Sequence, residues 1–296
     1  MDVRGEILQL FQTQVYGKAP GKPALVAQSG IAGYGDRGDE VLTEESSTPA
    51  DSVLGRITRE NARFQQWEAL LTNRSKRHRN REFLVQGVRP ISRAVEEGWT
   101  VRALLRADGS TSDWADGLWG ATDAERVTLS PELHARLSGK EDGAELVAVV
   151  EMPEDGVQRL ADASRPHGPI VVLDRPTSPG NIGTLARSAD AFGASALVVT
   201  GHAADPYDPR AVRASTGSLF ALTVLRVPGP GPVVEYAHAH GHRIVGTDEE
   251  GSVLSSVDLG GRLLVVVGNE TTGLSSGWRA ACDEVASIPM VGTASS

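Results

Sequence analysis

The feature that most constrains the fold is a set of short, continuous apolar runs in the second half of the chain: "PIVVLD" (169–174), "ALVVT" (196–200), "FALTVLRV" (220–227), "RIVGTD" (243–248) and "RLLVVVGNE" (262–270). A strand with one wet face alternates apolar and polar residues, whereas a continuous apolar run of strand length suits a strand covered on both faces, as in a parallel sheet flanked by helices. Helical patterns lie between the runs, at 181–192 and in "PVVEYAHAH" (232–240). Residues 169–296 therefore read as an α/β unit with an open parallel sheet of Rossmann-like character. A helix around 277–282 and the tail "VASIPMVGTASS" complete it.

A second, smaller α/β unit is expected over residues 56–151. Thr58 is a plausible N-cap for the amphipathic "RENARFQQWEALL", after which strands and helices alternate: strand "EFLVQG", helix "RPISRAVEEG", strand "VRALLR", a helix near 113–118, strand "RVTLS", helix "PELHARLSG" and strand "AELVAVVE". Residues 152–168 read as a linker containing one short helix. Residues 1–55 mix Gly, Ser, Pro and acids without sustained periodicity, as in "GKAPGKPALVAQSGIAGYGDRGDE", and are expected to be a mostly disordered extension.

Charge is unevenly distributed. The whole chain carries a formal net charge of −9, but residues 56–106 hold twelve Lys/Arg against five Asp/Glu, a net of +7. A concentrated basic segment in an acidic chain is the footprint of a polyanion-binding face. Within it "NRSKRHRNRE" places Arg74, Lys76, Arg77, Arg79 and Arg81 in close succession, and these are candidates for phosphate contact. Farther on, Arg213 and Ser215 in "DPRAVRASTGSLF" are candidates for RNA or subunit contact. Cys282 is the sole cysteine, which excludes an intramolecular disulfide and a thiolate metal cluster. No apolar run approaches the ~20 residues needed to span a bilayer, and a cytoplasmic protein is expected.

Three loops at the carboxyl ends of the buried strands stand out: "SPGNIG" (178–183), "VVVGNETTGLS" (265–275) and "IPMVG" (288–292). Ligands of open α/β sheets bind outside those strand ends. The first loop is not G-x-G-x-x-G, and the strand after it ends in Thr200-Gly201-His202 rather than an acid, so a dinucleotide site is not expected.

Taken together, "PGNIGTLAR", "LVVVGNETTGLS" and "IPMVGTASS" resemble the three motifs of the SpoU/TrmH branch of the SPOUT methyltransferases. The resemblance extends over residues 58–296 and is closest to the avilamycin-resistance type, which methylates a uridine of 23S ribosomal RNA. It implies S-adenosylmethionine as methyl donor, a ribose 2′-hydroxyl of RNA as acceptor, 23S ribosomal RNA ahead of transfer RNA as substrate, a homodimer, and no metal, so that "AHAHGH" (237–242) is not a metal site. It also implies an L30-like RNA-binding domain over 56–151 and a C-terminal trefoil knot.

By the family pattern Arg187 is the central catalytic residue. A guanidinium is almost always protonated, which favours stabilising a developing alkoxide or clamping the adjacent phosphate over acting as a base. Asn181, a natural N-cap, would orient the substrate or Arg187, and Glu270 would pair with Arg187. Thr247, Gly268, Asn269, Gly273, Leu274, Ile288, Pro289, Met290 and Ser296 would hold the cofactor. The family's third motif continues beyond the serine matched by Ser296 with a Leu-Asn pair and a helix. An incomplete knot, weak or absent cofactor binding by the 296-residue polypeptide alone, and an inactive RNA-binding relative as the alternative reading are expectations on that ground.

Overall fold

The computed structural model describes residues 54–109, 111–139, 144–161, 163, 165 and 167–289. The extension expected over residues 1–55 lies almost wholly outside them, as do Met290 to Ser296, on which the knot expectation rests.

The first unit comprises β1 (Leu54–Ile57), α1 (Ala62–Thr72), α2 (Arg74–Asn80), β2 (Glu82–Gln86), α3 (Val88–Glu96), β3 (Val101–Ala107), α4 (Asp113–Ala121), β4 (Glu125–Leu129), α5 (Pro131–Ser138) and β5 (Leu146–Glu151). Its sheet has the order β1-β4-β3-β5-β2; β1, β4 and β3 run parallel, and β5 runs antiparallel to both β3 and β2. Strand β1 precedes the expected first helix, begins two residues before the expected start of the unit at residue 56, and completes the sheet edge against β4. The cap of α1 is Asn61, whose side chain accepts from the Phe64 amide at 2.9 Å. Phe64, Trp67 and Leu70 recur every third residue and form the buried stripe of that helix. The basic run is itself a helix, α2, which its lack of apolar residues had concealed.

The second unit comes after a single 3-10 turn at Val157–Leu160 and comprises β6 (Ile170–Asp174), α6 (Pro179–Ala191), β7 (Ala196–Thr200), α7 (Pro209–Ser215), α8 (Ser218–Ala221), β8 (Thr223–Val227), α9 (Gly231–Ala239), β9 (Arg243–Val253), β10 (Leu263–Val267), α10 (Ser276–Ala281) and β11 (Glu284–Ser287). Its six strands have the order β11-β9-β10-β6-β7-β8 and are all parallel. Strands β6 and β7 are buried at every position, as their continuous apolar runs require. The run "FALTVLRV" is divided: Phe220 and Ala221 close α8, and the strand begins at Thr223. Helix α7 carries no long apolar period, but Asp208 caps it and Pro209 opens it. From β6 the chain builds outward to β8 on one side, then crosses to β9 and returns to insert β10 beside β6. The loops after β6 and β10 thus meet at the topological switch point, where open sheets bind ligands.

The two units share one core. Phe83, Val85 and Leu104 of the first belong to the same buried cluster as Leu173, Ala186, Tyr207 and Phe220 of the second. At the seam the Phe83 ring lies 4.9 Å from Tyr207, Trp99 meets Phe220 edge-on at 5.1 Å, and the Trp99 indole donates to the Phe220 carbonyl at 3.0 Å. Helices α6 and α7 approach unusually closely at Gly183: a Cβ there would lie 2.2 Å from the Ala211 carbonyl oxygen and 2.8 Å from the Ala214 Cβ. Only glycine permits that approach.

Candidate active site

The carboxyl tip of β6 is held by Asp174, a carboxylate only 2% exposed. Its oxygens accept from the Arg175 guanidinium (3.1 Å twice), the Thr200 hydroxyl (3.4 Å) and the Ser275 amide (2.7 Å), so one side chain ties together the tip of β6, the tip of β7 and the end of the loop after β10. Arg175 adopts a left-handed φ of 53°, uncommon for a residue with a side chain. The contacts on both of its ends hold it there: its guanidinium also donates to the Gly273 carbonyl at 3.1 Å, and its own carbonyl accepts from the Asn269 amide group at 2.7 Å. Asn269 and Gly273 exchange backbone hydrogen bonds of 3.0 Å each, and the Asn269 side-chain oxygen accepts from the Thr271 and Thr272 amides. This tight loop requires glycine at its base, because a Cβ on Gly268 would lie 2.7 Å from the Gly273 carbonyl carbon.

Glu270 faces α6. One oxygen accepts from the Asn181 amide group at 3.0 Å; the other accepts from the Thr177 amide and hydroxyl at 3.2 and 3.1 Å. Burial pushes this carboxyl up, but the hydrogen bonds from backbone amides, Asn181 and Thr177 outweigh it and hold the group below the ordinary carboxylate value. Glu270 is therefore ionised at neutral pH and unsuited to accept a proton. Its partner is Asn181 rather than the expected Arg187. Nor does Asn181 cap the helix: Ser178 does, accepting from the Asn181 amide at 3.4 Å, which frees the Asn181 side chain to face the loop. Arg187 stands exposed on α6 and makes no hydrogen bond or ion pair among the described residues.

Of the expected cofactor residues, Thr247 is half-buried midway along β9, opposite Val267 at the end of β10, and Gly268 and Ile288 are half-buried just beyond β10 and β11. The Thr247 hydroxyl donates to the Val266 carbonyl at 3.2 Å. Asn269 is engaged inside its loop, and the Leu274 side chain turns into the core beside Trp278, so neither side chain points a free group at a ligand. Pro289 is exposed; Met290 and Ser296 lie outside the described residues. The donor set at these tips is backbone amides and carbonyls with one hydroxyl, and the cations beside them are paired, Arg175 with Asp174 and Arg279 with Asp248. Such a set suits an uncharged purine nucleoside and does not repel a sulfonium. S-adenosylmethionine fits it.

The basic candidates are separated by the structure. Arg77 is 1% exposed and ion-paired to Asp205 at 2.8 Å, and Ser215 is fully buried with its hydroxyl donating to the Val212 carbonyl; neither can meet RNA. Arg74 donates to the Ala203 carbonyl at 2.6 Å, Arg81 to the Met152 carbonyl and Glu154, and Arg213 to the Gln86 side chain, so all three bind across or beside the seam. The side chains of Lys76 and the exposed Arg79 make no hydrogen bond or ion pair among the described residues and remain available for phosphate. The cause is helical spacing: Arg74, Arg77 and His78 lie on one face of α2, toward the second unit, while Arg81 is the left-handed residue that closes the helix. Arg175, Thr177 and Asp174 escaped sequence reasoning, although Asp174 at the end of a fully apolar strand is a buried-charge signal. Burial raises the Cys282 thiol to about 11, which suits packing rather than nucleophilic work. Among the described residues no helix is long and apolar enough to cross a membrane.

Comparison with known proteins agrees with this geometry. Residues 61–148 match the SpoU L30e-like domain and residues 168–296 match the SpoU rRNA Methylase family. The chain is 52% identical over 250 residues to a 23S rRNA (uridine(2479)-2′-O)-methyltransferase of Streptomyces viridochromogenes, covering 81% of this chain and 86% of that protein. It is 27% identical over 239 residues to the 23S rRNA (guanosine(2553)-2′-O)-methyltransferase RlmP of Bacillus subtilis, covering 80% and 90%. The crystal structure of the SpoU methyltransferase AviRb from Streptomyces viridochromogenes in complex with the cofactor AdoMet superposes with a TM-score of 0.75 at 51% identity, over 80% of this chain and 92% of that one. With two family models in sequence along it and a relative more than half identical across most of both lengths, this chain belongs to the SpoU rRNA methylase family.

Proposed function

We propose that this protein transfers a methyl group from S-adenosylmethionine to a ribose 2′-hydroxyl of 23S ribosomal RNA, acting as a homodimer. The observation that carries the reading is the Asn181–Glu270 hydrogen bond at the switch point, which joins the loop after β10 to α6, the helix bearing the unpaired Arg187. The 23S substrate is supported by the name of the Streptomyces relative. The dimer rests on the family resemblance, and sedimentation velocity tests it.

When bound, S-adenosylmethionine supplies an electrophilic methyl group. The half-buried backbone around Thr247, Gly268 and Ile288 binds its nucleoside part. Arg187 keeps its proton and stabilises negative charge developing on the 2′-oxygen or clamps the neighbouring phosphate, and the hydroxyl proton leaves to solvent water. Glu270, ionised, holds Asn181 so that its amide meets the substrate in one orientation. Lys76 and Arg79 contact the phosphate backbone.

Mapping 2′-O-methyl groups on 23S RNA from cells with and without the gene, alongside tritiated methyl transfer by the purified gene product to 23S RNA and to transfer RNA, tests the reading. A gene-dependent methyl group on 23S RNA is expected. Methylation confined to transfer RNA, or none on either, refutes it.

A further inference from the structure

The basic helix of the first unit and the helix bearing Arg187 are joined by a short, buried path. Arg77 donates from Nε to Asp205 at 2.8 Å and from one terminal nitrogen to the Leu70 carbonyl at 2.8 Å, while the other terminal nitrogen lies 3.6 Å from Asp208. Both acids shape the entry to α7: Asp205, 3% exposed, accepts from the Tyr207 amide at 3.0 Å, and Asp208 caps α7 by accepting from the Arg210 amide at 3.0 Å. Helix α7 is then pressed against α6 at Gly183, between Asn181 and Arg187. Stability alone does not call for this arrangement, since apolar residues of similar volume commonly replace a buried ion pair at no cost. What a guanidinium fork between fixed acceptors adds is direction. Arg74 also crosses the seam, but onto the Ala203 carbonyl, and Arg81 reaches only Met152 and Glu154 just beyond β5, so neither leads to α7.

We infer that Arg77 is a positioning residue for methyl transfer: through Asp205, Asp208 and α7 it sets where α6 holds Asn181 and Arg187 relative to the RNA-reading unit. The inference rests on the function proposed above. It accounts for a basic residue in an RNA-binding segment that is shut away from RNA, and for a helix contact so close that it excludes a methyl group.

The test compares Arg77→Met, Arg77→Lys and Asp205→Asn with the parent protein, at a temperature below the melting of every variant and with rates expressed per S-adenosylmethionine site. For Arg77→Met and Asp205→Asn, kcat on 23S RNA is expected to fall about tenfold or more, as misplacement of a reacting group by a fraction of an ångström to an ångström does. KM for RNA and the Kd for S-adenosylmethionine are expected to stay within about twofold, the pattern of an interaction felt at the transition state. Arg77→Lys, which keeps the charge and loses the fork, is expected to fall between. Amide hydrogen exchange is expected to rise over residues 179–191 and 209–215 and to stay unchanged in β1 and β4. Parent-like kcat per site in folded Arg77→Lys and Asp205→Asn, or exchange that rises evenly throughout, overturns the inference; those two variants decide it should Arg77→Met not fold. A parent protein that binds S-adenosylmethionine and transfers no methyl refutes the proposed function instead, and the exchange pattern then decides the coupling by itself.

Discussion

Replacing Gly183 by alanine sets two effects of opposite sign against each other. Helix propensity alone favours alanine in a helix interior by about 0.8–1.0 kcal/mol. Against this, the new Cβ would lie 2.2 Å from the Ala211 carbonyl oxygen, 2.8 Å from the Ala214 Cβ and 2.9 Å from the Ser215 amide nitrogen. An ordinary carbon–oxygen contact is roughly 3.3 Å, so α6 and α7 must separate by about 1 Å. Two of the three neighbours are backbone atoms, which no rotamer change can move. Overpacking of this kind costs about 1–3 kcal/mol, leaving a net loss of about 0–2 kcal/mol after the propensity gain. At roughly 2–4 °C per kcal/mol, the melting temperature is expected to fall by up to about 8 °C. Activity is expected to suffer more, because Arg187 lies one turn beyond Gly183 and a shift of about 1 Å can cost a hundredfold in rate. Thermal unfolding by circular dichroism and single-turnover transfer of tritiated methyl to 23S RNA measure the two effects. A variant that melts higher than the parent, or melts lower while transferring methyl at the parent rate, would refute the reasoning.

The same geometry sets three other outcomes. Arg187→Ala is expected to lower kcat by about 10²–10³, as loss of a group stabilising an oxyanion does, while melting temperature and S-adenosylmethionine affinity hold, since the side chain is exposed and has no hydrogen bond or ion pair among the described residues to lose; a rate within threefold or so of the parent refutes its role. Removing Lys76 and Arg79 together is expected to reduce the slope of log affinity against log salt for RNA by roughly 1.5, as two phosphate contacts would; an unchanged slope in filter-binding titrations removes them from the interface. Burial raises the Asp205 carboxyl, but His78 and Arg77 outweigh it and bring its value from 3.8 to about 2. Because the folded-state value is the lower one, the stabilisation is complete above about pH 4 and is lost as pH falls toward about 2. Urea unfolding of the parent and of Asp205→Asn from pH 6 to 2 is expected to show a gap between them that narrows over that window, and a constant gap rules out the linkage.

The parallel sheet was legible because burial on both faces leaves a compositional mark, and its switch-point loops because glycines collect where backbone must approach backbone. The elements that escaped do so for identifiable reasons. Helix α2 is polar all round, so no apolar period announces it, and its arginines read as phosphate ligands until the helical turn sends Arg74 and Arg77 toward the second unit. The stop in "FALTVLRV" depends on Gly217 and Thr216, both at positive φ, which break the chain into α7 and α8 before the strand. In the site, the pairing of Glu270 with Asn181 rather than Arg187 is a matter of direction around α6, which spacing along the chain leaves open. Like Asp174 at its strand end, the Asp208-Pro209 pair is a signal that sequence carries openly, a cap followed by a proline suited to the first turn.

The aromatic seam of Phe83, Trp99, Tyr207 and Phe220 bears on how such enzymes can be re-aimed. Were the two units separate cassettes, exchanging the first for that of a relative would redirect the catalyst to a new nucleotide. Here half of the quartet comes from each unit, so a foreign graft would bare Tyr207 and Phe220 to water and bring no counterpart for Asp205. A graft that keeps the catalyst intact must therefore carry its own partners for Tyr207, Phe220 and Asp205 across the seam.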